Sequence, residues 1–159
     1  MTVFTVAFFG HRSIFNTSPV LKRLDGVVED LIKEKEYVEF LVGRNGDFDC
    51  YVASAVRRAK KKIRDDNNAL VLVLPYLTAE YRTNEKSFHE YYDEVEICQE
   101  SAAMYFKAAI QKRNRQMVDR ADLIVCCIDH RSNGAYRTLL YAQSQGKMIL
   151  NLAADMSFL

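Results

Sequence analysis

Three short stretches of the sequence combine glycine, arginine and small polar residues in a way that suits the binding of an anion. They are Gly10-His11-Arg12, Gly43-Arg44-Asn45-Gly46-Asp47-Phe48-Asp49 and His130-Arg131-Ser132-Asn133-Gly134, and they contain four of the six glycines. Glycine lets backbone N–H groups approach an anion closely, and arginine donates forked, charge-assisted hydrogen bonds. The three stretches therefore predict a site for a phosphate-bearing, nucleotide-like ligand.

The candidate ligand-binding residues are taken from these stretches. They are Gly10, His11, Arg12, Gly43, Arg44, Asp47, Asp49, Ser132, Asn133 and Gly134. An alternative interpretation stays open, because ordinary strand-to-helix turns also favour glycine, asparagine, aspartate and serine. Neither GxGxxG nor GxxxxGK[ST] occurs, so the common dinucleotide and ATPase fingerprints are absent.

Other chemistry is less well supported by the sequence. The three histidines, His11, His89 and His130, show no metal-ligand spacing, and we predict no metal site and no cofactor. Ser132 has no local nucleophile motif. The four cysteines form no CxxC pair, which is typical of reduced thiols in the cytosol.

The elements that position these residues follow from hydrophobic periodicity. Five short apolar runs read as strands: Val3–Phe9, Tyr37–Val42, Ala69–Leu74, Leu123–Ile128 and Met148–Leu152. Between them, apolar residues recur at spacings of three and four and predict helices, one of them over about 101–120, with Asp47 as a plausible N-cap of another. Strands that alternate with helices predict a doubly wound parallel sheet with helices on both faces. The loops at the carboxyl ends of its strands would bring the three stretches together.

The segment 76–100 departs from this alternation. It is mostly polar and carries the aromatic residues Tyr76, Tyr81, Phe88, Tyr91 and Tyr92. A connection of this length is more often a lid or binding loop, and we predict a lid or irregular insertion here. Its rings could stack on a base or close a satellite core, and the sequence leaves both open.

Length, composition and net charge limit the classes of function that are possible. The chain has 159 residues, 49% of them apolar, which predicts a single domain over 1–159. The net charge of +1 provides no general attraction to nucleic acid or to an anionic membrane. The basic run over 57–64 is interpreted as a solvated helix face. The apolar start reads as a strand, not a signal peptide or membrane span, so a cytoplasmic location is expected.

Four motifs in order resemble the SLOG superfamily, in particular small bacterial and phage proteins of unassigned role. They are Phe9-Gly10-His11-Arg12, then the second glycine stretch, then Arg113-Asn114-Arg115-Gln116-Met117 leading into Ala121-Asp122, and finally Ser132-Asn133-Gly134-Ala135-Tyr136-Arg137-Thr138. The resemblance spans about residues 3 to 152. It implies a Rossmann-like sheet of about five strands in the order 3-2-1-4-5 that binds a nucleotide or nucleotide-derived ligand.

The superfamily includes enzymes related to the cytokinin-activating phosphoribohydrolases, sensor domains and a DNA-processing branch. By this resemblance Arg113 stands at the hydrolases' arginine position, while Gly134 and Thr138 fit their glycine-rich turn and threonine. Tyr141 stands where those enzymes have a glutamate. Tyrosine, with a pKa near 10 in model peptides, is a poor replacement for a carboxylate that must be charged at neutral pH.

We therefore prefer binding, for sensing or sequestering, of a nucleotide-derived small molecule. Its phosphate would lie over the stretch 132–134 opposite Arg12 or Arg113, and the aromatic segment would cover the base. The alternative is an N-glycosidic hydrolase of a nucleoside monophosphate or an ADP-ribose-like compound, with Asp49 as acid and Arg113 as anchor. Single-stranded nucleic-acid binding ranks third because of the neutral charge balance. The resemblance also implies a homodimer or larger homo-oligomer, and no membrane partner is expected.

Overall fold

The computed structural model describes residues 1–15 and 17–153. Six strands form one parallel sheet in the order β4-β3-β2-β1-β5-β6. The strands are β1 (Val3–Gly10), β2 (Tyr37–Val42), β3 (Asn68–Leu74), β4 (Glu94–Ile97), β5 (Leu123–Cys127) and β6 (Met148–Asn151). The helices are α1 (Thr17–Glu34), α2 (Asp47–Lys62), α3 (Ala79–Thr83), α4 (Glu85–Tyr91), α5 (Phe106–Arg120) and α6 (Asn133–Ser144).

The predicted doubly wound α/β fold is confirmed, with one correction to the sheet. It has six strands where five were predicted, and the additional strand is β4 at one edge. This strand comes from the segment 76–100, which also contains helices α3 and α4 where a lid or irregular insertion was predicted. The strand escaped prediction because Glu94 and Glu96 alternate with Val95 and Ile97, so it has no continuous apolar run.

The core lies on both faces of the sheet. Alternate residues of β1 point to opposite sides, so Phe8 packs in the cluster with α1 and α2, and Phe9 packs in the cluster with α5 and α6. Every residue of strand β3, which lies between β4 and β2, is buried. A strand that is covered on both faces has no solvated side, which explains its almost uninterrupted Val and Leu sequence.

The strand order brings the loops after β1, β2 and β5 to the same edge. The strand order switches beside β1, which pairs with β2 on one side and β5 on the other. The loops are tied to one another, since Asp47 donates its N–H to the Arg12 carbonyl at 2.8 Å and His11 donates its N–H to the Cys127 carbonyl at 3.3 Å. This is the edge at which open parallel sheets bind ligands.

Two further features bear on the predictions. Helix α5 begins at Phe106, five residues after the predicted start near 101, because residues 99–104 form turns and a bend. Within the described parts of the chain, every helix is too short or too polar to cross a bilayer.

Candidate functional site

A cavity of about 400 Å³ opens at the carboxyl edge of the sheet, between the three loops and the first turns of α5. Four cationic side chains line it, together with one carboxylate, Asp49. The cations are Arg12, Lys107, Arg113 and Arg137. The cavity therefore concentrates positive charge in a chain whose net charge is only +1.

Seven of the predicted site residues line this cavity. They are Gly10, Arg12, Gly43, Asp49, Arg113, Asn133 and Gly134. Five others lie outside its lining: His11, Arg44, Asp47, Ser132 and Thr138. The first group comes from all three loops and from α5, so the fold brings together residues that are far apart in the sequence.

Arg113 is the most enclosed charge of the cavity, with 2% of its surface exposed. Its terminal nitrogens donate to the Val73 carbonyl at 2.7 Å and to Asn45 Oδ1 at 2.6 Å, and its Nε donates to Asn114 Oδ1 at 2.9 Å. Burial lowers the pKa of Arg113, and the charge of Asp49 opposes that effect. Three of its five N–H groups are thus satisfied by neighbours, which fixes the guanidinium plane and leaves two N–H groups for a ligand.

Asn45 connects Arg113 to Asp49. Its side-chain oxygen accepts from Arg113, while its backbone N–H donates to Asp49 Oδ2 at 2.8 Å. Burial raises the pKa of Asp49 above its ordinary value of 3.8, and the Asn45 N–H and the Arg113 charge offset part of that rise. Burial therefore favours the protonated form of this carboxyl group, which is the direction of shift that a general acid requires.

Two glycines allow the first and second loops to pack closely. A Cβ atom on Gly10 would lie 2.6 Å from the Phe48 ring, and a Cβ atom on Gly46 would lie 2.6 Å from the Arg12 Cα atom. Contacts under 3.0 Å are essentially never seen, so only glycine fits at either position without a shift. The Arg12 Nε also donates to the Asn45 carbonyl at 3.2 Å. These contacts fix Arg12 at the cavity wall.

Asn133 adopts a backbone conformation that is rare for a residue other than glycine. Its φ is 73°, in the left-handed region that asparagine tolerates better than most residues. Its Oδ1 accepts the Ala135 N–H at 3.1 Å and so caps the start of α6, and it also accepts from His11 Nδ1 at 3.3 Å. Strained residues of this kind concentrate at functional sites.

His11 is buried beside the cavity and packs against His130. The two rings are stacked, with centroids 3.5 Å apart and planes 5° apart. His11 Nε2 accepts the Asp129 N–H at 3.1 Å, which makes Nδ1 the protonated nitrogen of the neutral ring. Burial, assisted by His130, lowers the pKa of His11. The sequence did not predict this pairing because the two histidines belong to separate loops.

Three predicted residues support the site from outside the cavity. Thr138 is buried in α6, where its hydroxyl donates to the Gly134 carbonyl at 3.0 Å. Asp47 Oδ2 accepts the Ile14 N–H at 3.2 Å and so joins the first and second loops. Ser132 is exposed, and its hydroxyl lies 2.6 Å from His130 Nδ1.

Arg44 leaves the cavity and joins the aromatic segment. Its Nε donates to Glu80 at 2.9 Å, one terminal nitrogen donates to the Tyr92 hydroxyl at 3.0 Å, and its guanidinium lies over the Phe88 ring. Tyr81 and Phe88 pack edge to face within the same cluster. The lining of the cavity includes no residue of 76–100. Tyr81, Phe88 and Tyr92 instead belong to the same hydrophobic core as α1 and α2, so these rings form neither the predicted cover of a base nor a separate satellite core.

The sequence analysis missed the wall that α5 and α6 contribute. Phe106, Lys107, Ile110 and Gln111 line the cavity from the first turns of α5, and Arg137 lines it from α6. They lie on helices, whereas the sequence signals for the site lie in the loops. The sequence signal that could have indicated this wall is an apolar residue next to a lysine, Phe106 and Lys107, at the start of a helix that follows a long connection.

Gln111 lies across the glycine turn of the third loop. A Cβ atom on Gly134 would be 2.5 Å from Gln111 Nε2, which itself donates weakly to the Gly134 carbonyl at 3.4 Å. A phosphate that approaches Gly134 from this side must therefore displace the Gln111 amide. The weak bond makes that displacement inexpensive.

Tyr141, which stands at the position of the hydrolases' glutamate, is also outside the cavity lining. Its hydroxyl donates to Asp119 at 2.7 Å, and Arg115 lies over its ring. That hydrogen bond raises the pKa of Tyr141, so its hydroxyl is neutral at physiological pH.

Comparison with known proteins identifies the fold. No protein-family model matches the sequence, and no curated protein matches it either. Solved structures do match, among them DNA processing protein A from Streptococcus pneumoniae, with a TM-score of 0.67 and 15% identity over 93% of this chain. A molybdenum cofactor binding protein from Rippkaea orientalis matches with a TM-score of 0.65 and 16% identity over 99% of this chain and 80% of its own.

The likeness shows the fold, a Rossmann-like parallel sheet flanked by helices. A third structure with the same fold is DNA processing protein A from Helicobacter pylori, described for its single-stranded DNA binding mode, with a TM-score of 0.64, 14% identity and 93% coverage of this chain. The chain spans 50% of the Streptococcus pneumoniae protein and 64% of the Helicobacter pylori protein. This fold is thus shared among proteins whose reported ligands differ, and the ligand must be argued from the cavity.

Proposed function

We propose that the cavity binds a nucleotide-derived small molecule, which the protein senses or sequesters. The observation that carries the proposal is the convergence of four cationic side chains and one carboxylate on one cavity. Phosphate groups are bound by such charge-assisted donors, and Arg113 is already oriented for this by its neighbours. The start of α6 adds partial positive charge at Asn133 and Gly134.

The lining also includes apolar side chains that suit a base. Phe9, Phe106, Ile110 and Met117 are apolar, and Phe106 is 52% exposed at the start of α5. An exposed ring beside a cavity can stack on a nucleobase, and such stacking contributes about 1–3 kcal/mol per base. The volume of about 400 Å³ falls in the range of small-molecule sites. A ligand with one anionic end and one flat apolar end is complementary to this lining.

Binding is tested with AMP and ADP-ribose by isothermal titration calorimetry, with adenosine as the ligand without phosphate. Arg12→Ala and Arg137→Ala each remove a charge-assisted contact from an exposed position and should weaken binding about ten- to a hundredfold. Arg131→Ala is the matched control, since Arg131 is an exposed arginine of the third loop outside the cavity lining. Equal affinity of adenosine and AMP, or equal losses in all three variants, would contradict the proposal.

A second measurement identifies the natural ligand. The purified protein is heated, and the released small molecules are read by mass spectrometry. An intact nucleotide supports binding without turnover. A free base with ribose phosphate supports hydrolysis.

The second candidate function is N-glycosidic hydrolysis, and the observation that favours it is the position of Asp49. This carboxyl group lines the cavity with a raised pKa, as a general acid requires. Tyr141 argues against the family's own mechanism, because it is not a carboxylate and its hydroxyl is bonded to Asp119 away from the cavity. We therefore prefer binding.

Asp49→Asn separates the two candidates. A binding protein should keep nearly all its affinity, because an asparagine oxygen can still accept the Asn45 N–H. A hydrolase that relies on this carboxyl group should keep its affinity for substrate and lose most of its turnover. We expect no release of base from AMP or ADP-ribose by the parent protein. Hydrolysis that disappears in Asp49→Asn would make the enzyme the better interpretation.

A further inference from the structure

His11, Asp129 and His130 form a cluster at the carboxyl edge of the sheet, next to the cavity. One ligand atom from each residue lies within 4.8 Å of the other two. Asp129 Oδ1 is 3.4 Å from His11 Nε2 and 3.7 Å from His130 Nε2. Two ligand atoms bound to one zinc ion at tetrahedral angles are separated by about 3.3 Å, given bonds of about 2.0–2.1 Å. The cluster is therefore close to the spacing of a metal site.

The Nδ1 atoms of both histidines are held by oxygen atoms on the far side of the rings. His11 Nδ1 donates to Asn133 Oδ1 at 3.3 Å, and His130 Nδ1 lies 2.6 Å from the Ser132 hydroxyl. Histidines that bind metals almost always donate their second nitrogen to such an oxygen, which fixes the tautomer and the ring. Here this arrangement leaves the Nε2 atom of each ring on the side of Asp129, where the Nε2 atom of His11 accepts the Asp129 N–H at 3.1 Å, a hydrogen bond that a metal ion would replace.

The cluster is accessible from solvent. His11 is buried, but the side chains of Asp129 and His130 are 43% and 47% exposed. An ion can therefore reach the ligand atoms without opening the core. The rings are nearly parallel, so their lone pairs do not converge until the exposed His130 ring turns away from the stacked position.

We propose that His11, Asp129 and His130 bind a divalent transition-metal ion such as Zn²⁺. Two imidazoles and one carboxylate suit zinc and its neighbours in the first transition series better than Mg²⁺ or Ca²⁺, which prefer oxygen ligands. Three protein ligands leave at least one position open to water or another ligand. The site is separate from the nucleotide proposal, since none of its three residues belongs to the lining of the cavity.

A second cluster of potential ligands provides a control. Glu39, Glu94 and Glu96 also approach one another. Arg120 already donates to Glu96 at 2.9 Å and to Glu39 at 3.3 Å, so two of the three carboxylates are paired with its guanidinium. Glu94→Gln therefore serves as the control for metal binding at this cluster.

The experiment uses tag-free protein that carries Cys50→Ser, because Cys50 is the exposed thiol among the four free cysteines. Binding of Zn²⁺ is measured by calorimetry, and binding of Co²⁺ by its visible absorption, which reports coordination geometry. The variants are His130→Ala and Asp129→Asn, which change exposed side chains, and His11→Ala. The controls are Glu94→Gln and His89→Ala, which removes a histidine whose Nε2 is bonded to Tyr81.

We expect one Zn²⁺ per chain and a Co²⁺ spectrum with nitrogen coordination. His130→Ala and Asp129→Asn should each weaken Zn²⁺ binding by more than about 10- to 100-fold, which is the loss expected when only a hydrogen-bond partner of a metal ligand is removed. The two controls should bind as the parent does. The proposal is overturned if the parent binds no stoichiometric Zn²⁺, if His130→Ala and Asp129→Asn bind as tightly as the parent, or if only Glu94→Gln loses binding. Because those two variants change exposed side chains, the test does not depend on the folding of His11→Ala.

Discussion

The Arg113 guanidinium lies directly against the backbone of Gly43, so closely that a Cβ atom there would be 3.1 Å from both terminal nitrogens. The buried guanidinium therefore lies between the end of β2 and the Val73 carbonyl at the end of β3. The glycine is needed for space and not for its backbone freedom, because Gly43 is not among the glycines with positive φ.

Gly43→Ala should therefore displace Arg113 and reduce stability by about 1–3 kcal/mol, as overpacking does. Gly26→Ala is the matched control, because a Cβ atom at this position in α1 meets nothing within 4 Å. There the same change should stabilise by about 0.5–1 kcal/mol, since alanine is the better helix former. Urea denaturation measures both. Equal changes in the free energy of unfolding for the two substitutions would show that the contact with Arg113 does not determine the effect of Gly43→Ala.

Asn133 offers a test of the strained turn at the start of α6. Asn133→Gly keeps the backbone conformation and loses the side-chain hydrogen bonds to the Ala135 N–H and to His11 Nδ1. Asn133→Ala loses the same two hydrogen bonds and adds about 1–2 kcal/mol for an alanine in the left-handed region. Thermal denaturation should therefore rank alanine below glycine. The reverse order would mean that this φ is not maintained in solution.

Asp49 should make stability depend on pH. Its folded pKa is raised, so the folded state binds more protons than the unfolded state as the pH rises from 3.8 through the folded pKa. Stability is therefore lost as the pH rises through this window. Asp49→Asn should be more stable than the parent at pH 7, and the difference should vanish below pH 3.8. Urea denaturation at several pH values measures this, and a difference that persists at low pH would contradict the raised pKa.

The basic run on α2 is largely paired with acidic groups. Arg58 bonds to Asp25 and Lys62 to Glu29, each at under 3.0 Å. Lys60 differs, because it bonds to Asp93 and the Asn68 carbonyl and so supports the edge strand β4.

Neutralising Lys61 and Lys62 together should therefore leave affinity for AMP within about 0.5 kcal/mol of the parent. Fluorescence anisotropy with an oligothymidylate should show weak binding in both proteins. Strong, steeply salt-dependent binding by the parent that the double variant loses would favour single-stranded nucleic acid as the ligand.

The sequence indicated most of the sheet because its buried strands carry continuous apolar runs. The runs at β3 and β5 are buried almost throughout, and their short length and lack of helical spacing separate them from the helices. Strand β4 has the alternating pattern of a half-exposed edge, and four residues are too few for such a pattern to stand out from a polar loop.

The loops of the site could be predicted because the carboxyl ends of parallel strands meet at one edge. Arg12, Asp49 and Arg113 were found in this way or by resemblance, and all three line the cavity. The direction in which a side chain points could not be predicted. Arg44 has the same sequence signals as Arg12, yet it turns to Glu80 and Tyr92 because those partners come from a segment whose fold was not anticipated.

The close fit of the first two loops has an evolutionary consequence. Because Gly10 faces Phe48 and Gly46 faces Arg12 with no space for a single added carbon, a change in one loop demands a compensating change in the other. The start of α5 has no such constraint at Phe106 and Lys107, whose side chains are exposed. Substitutions in the α5 wall should therefore be tolerated one at a time, whereas the two glycine loops can change only together.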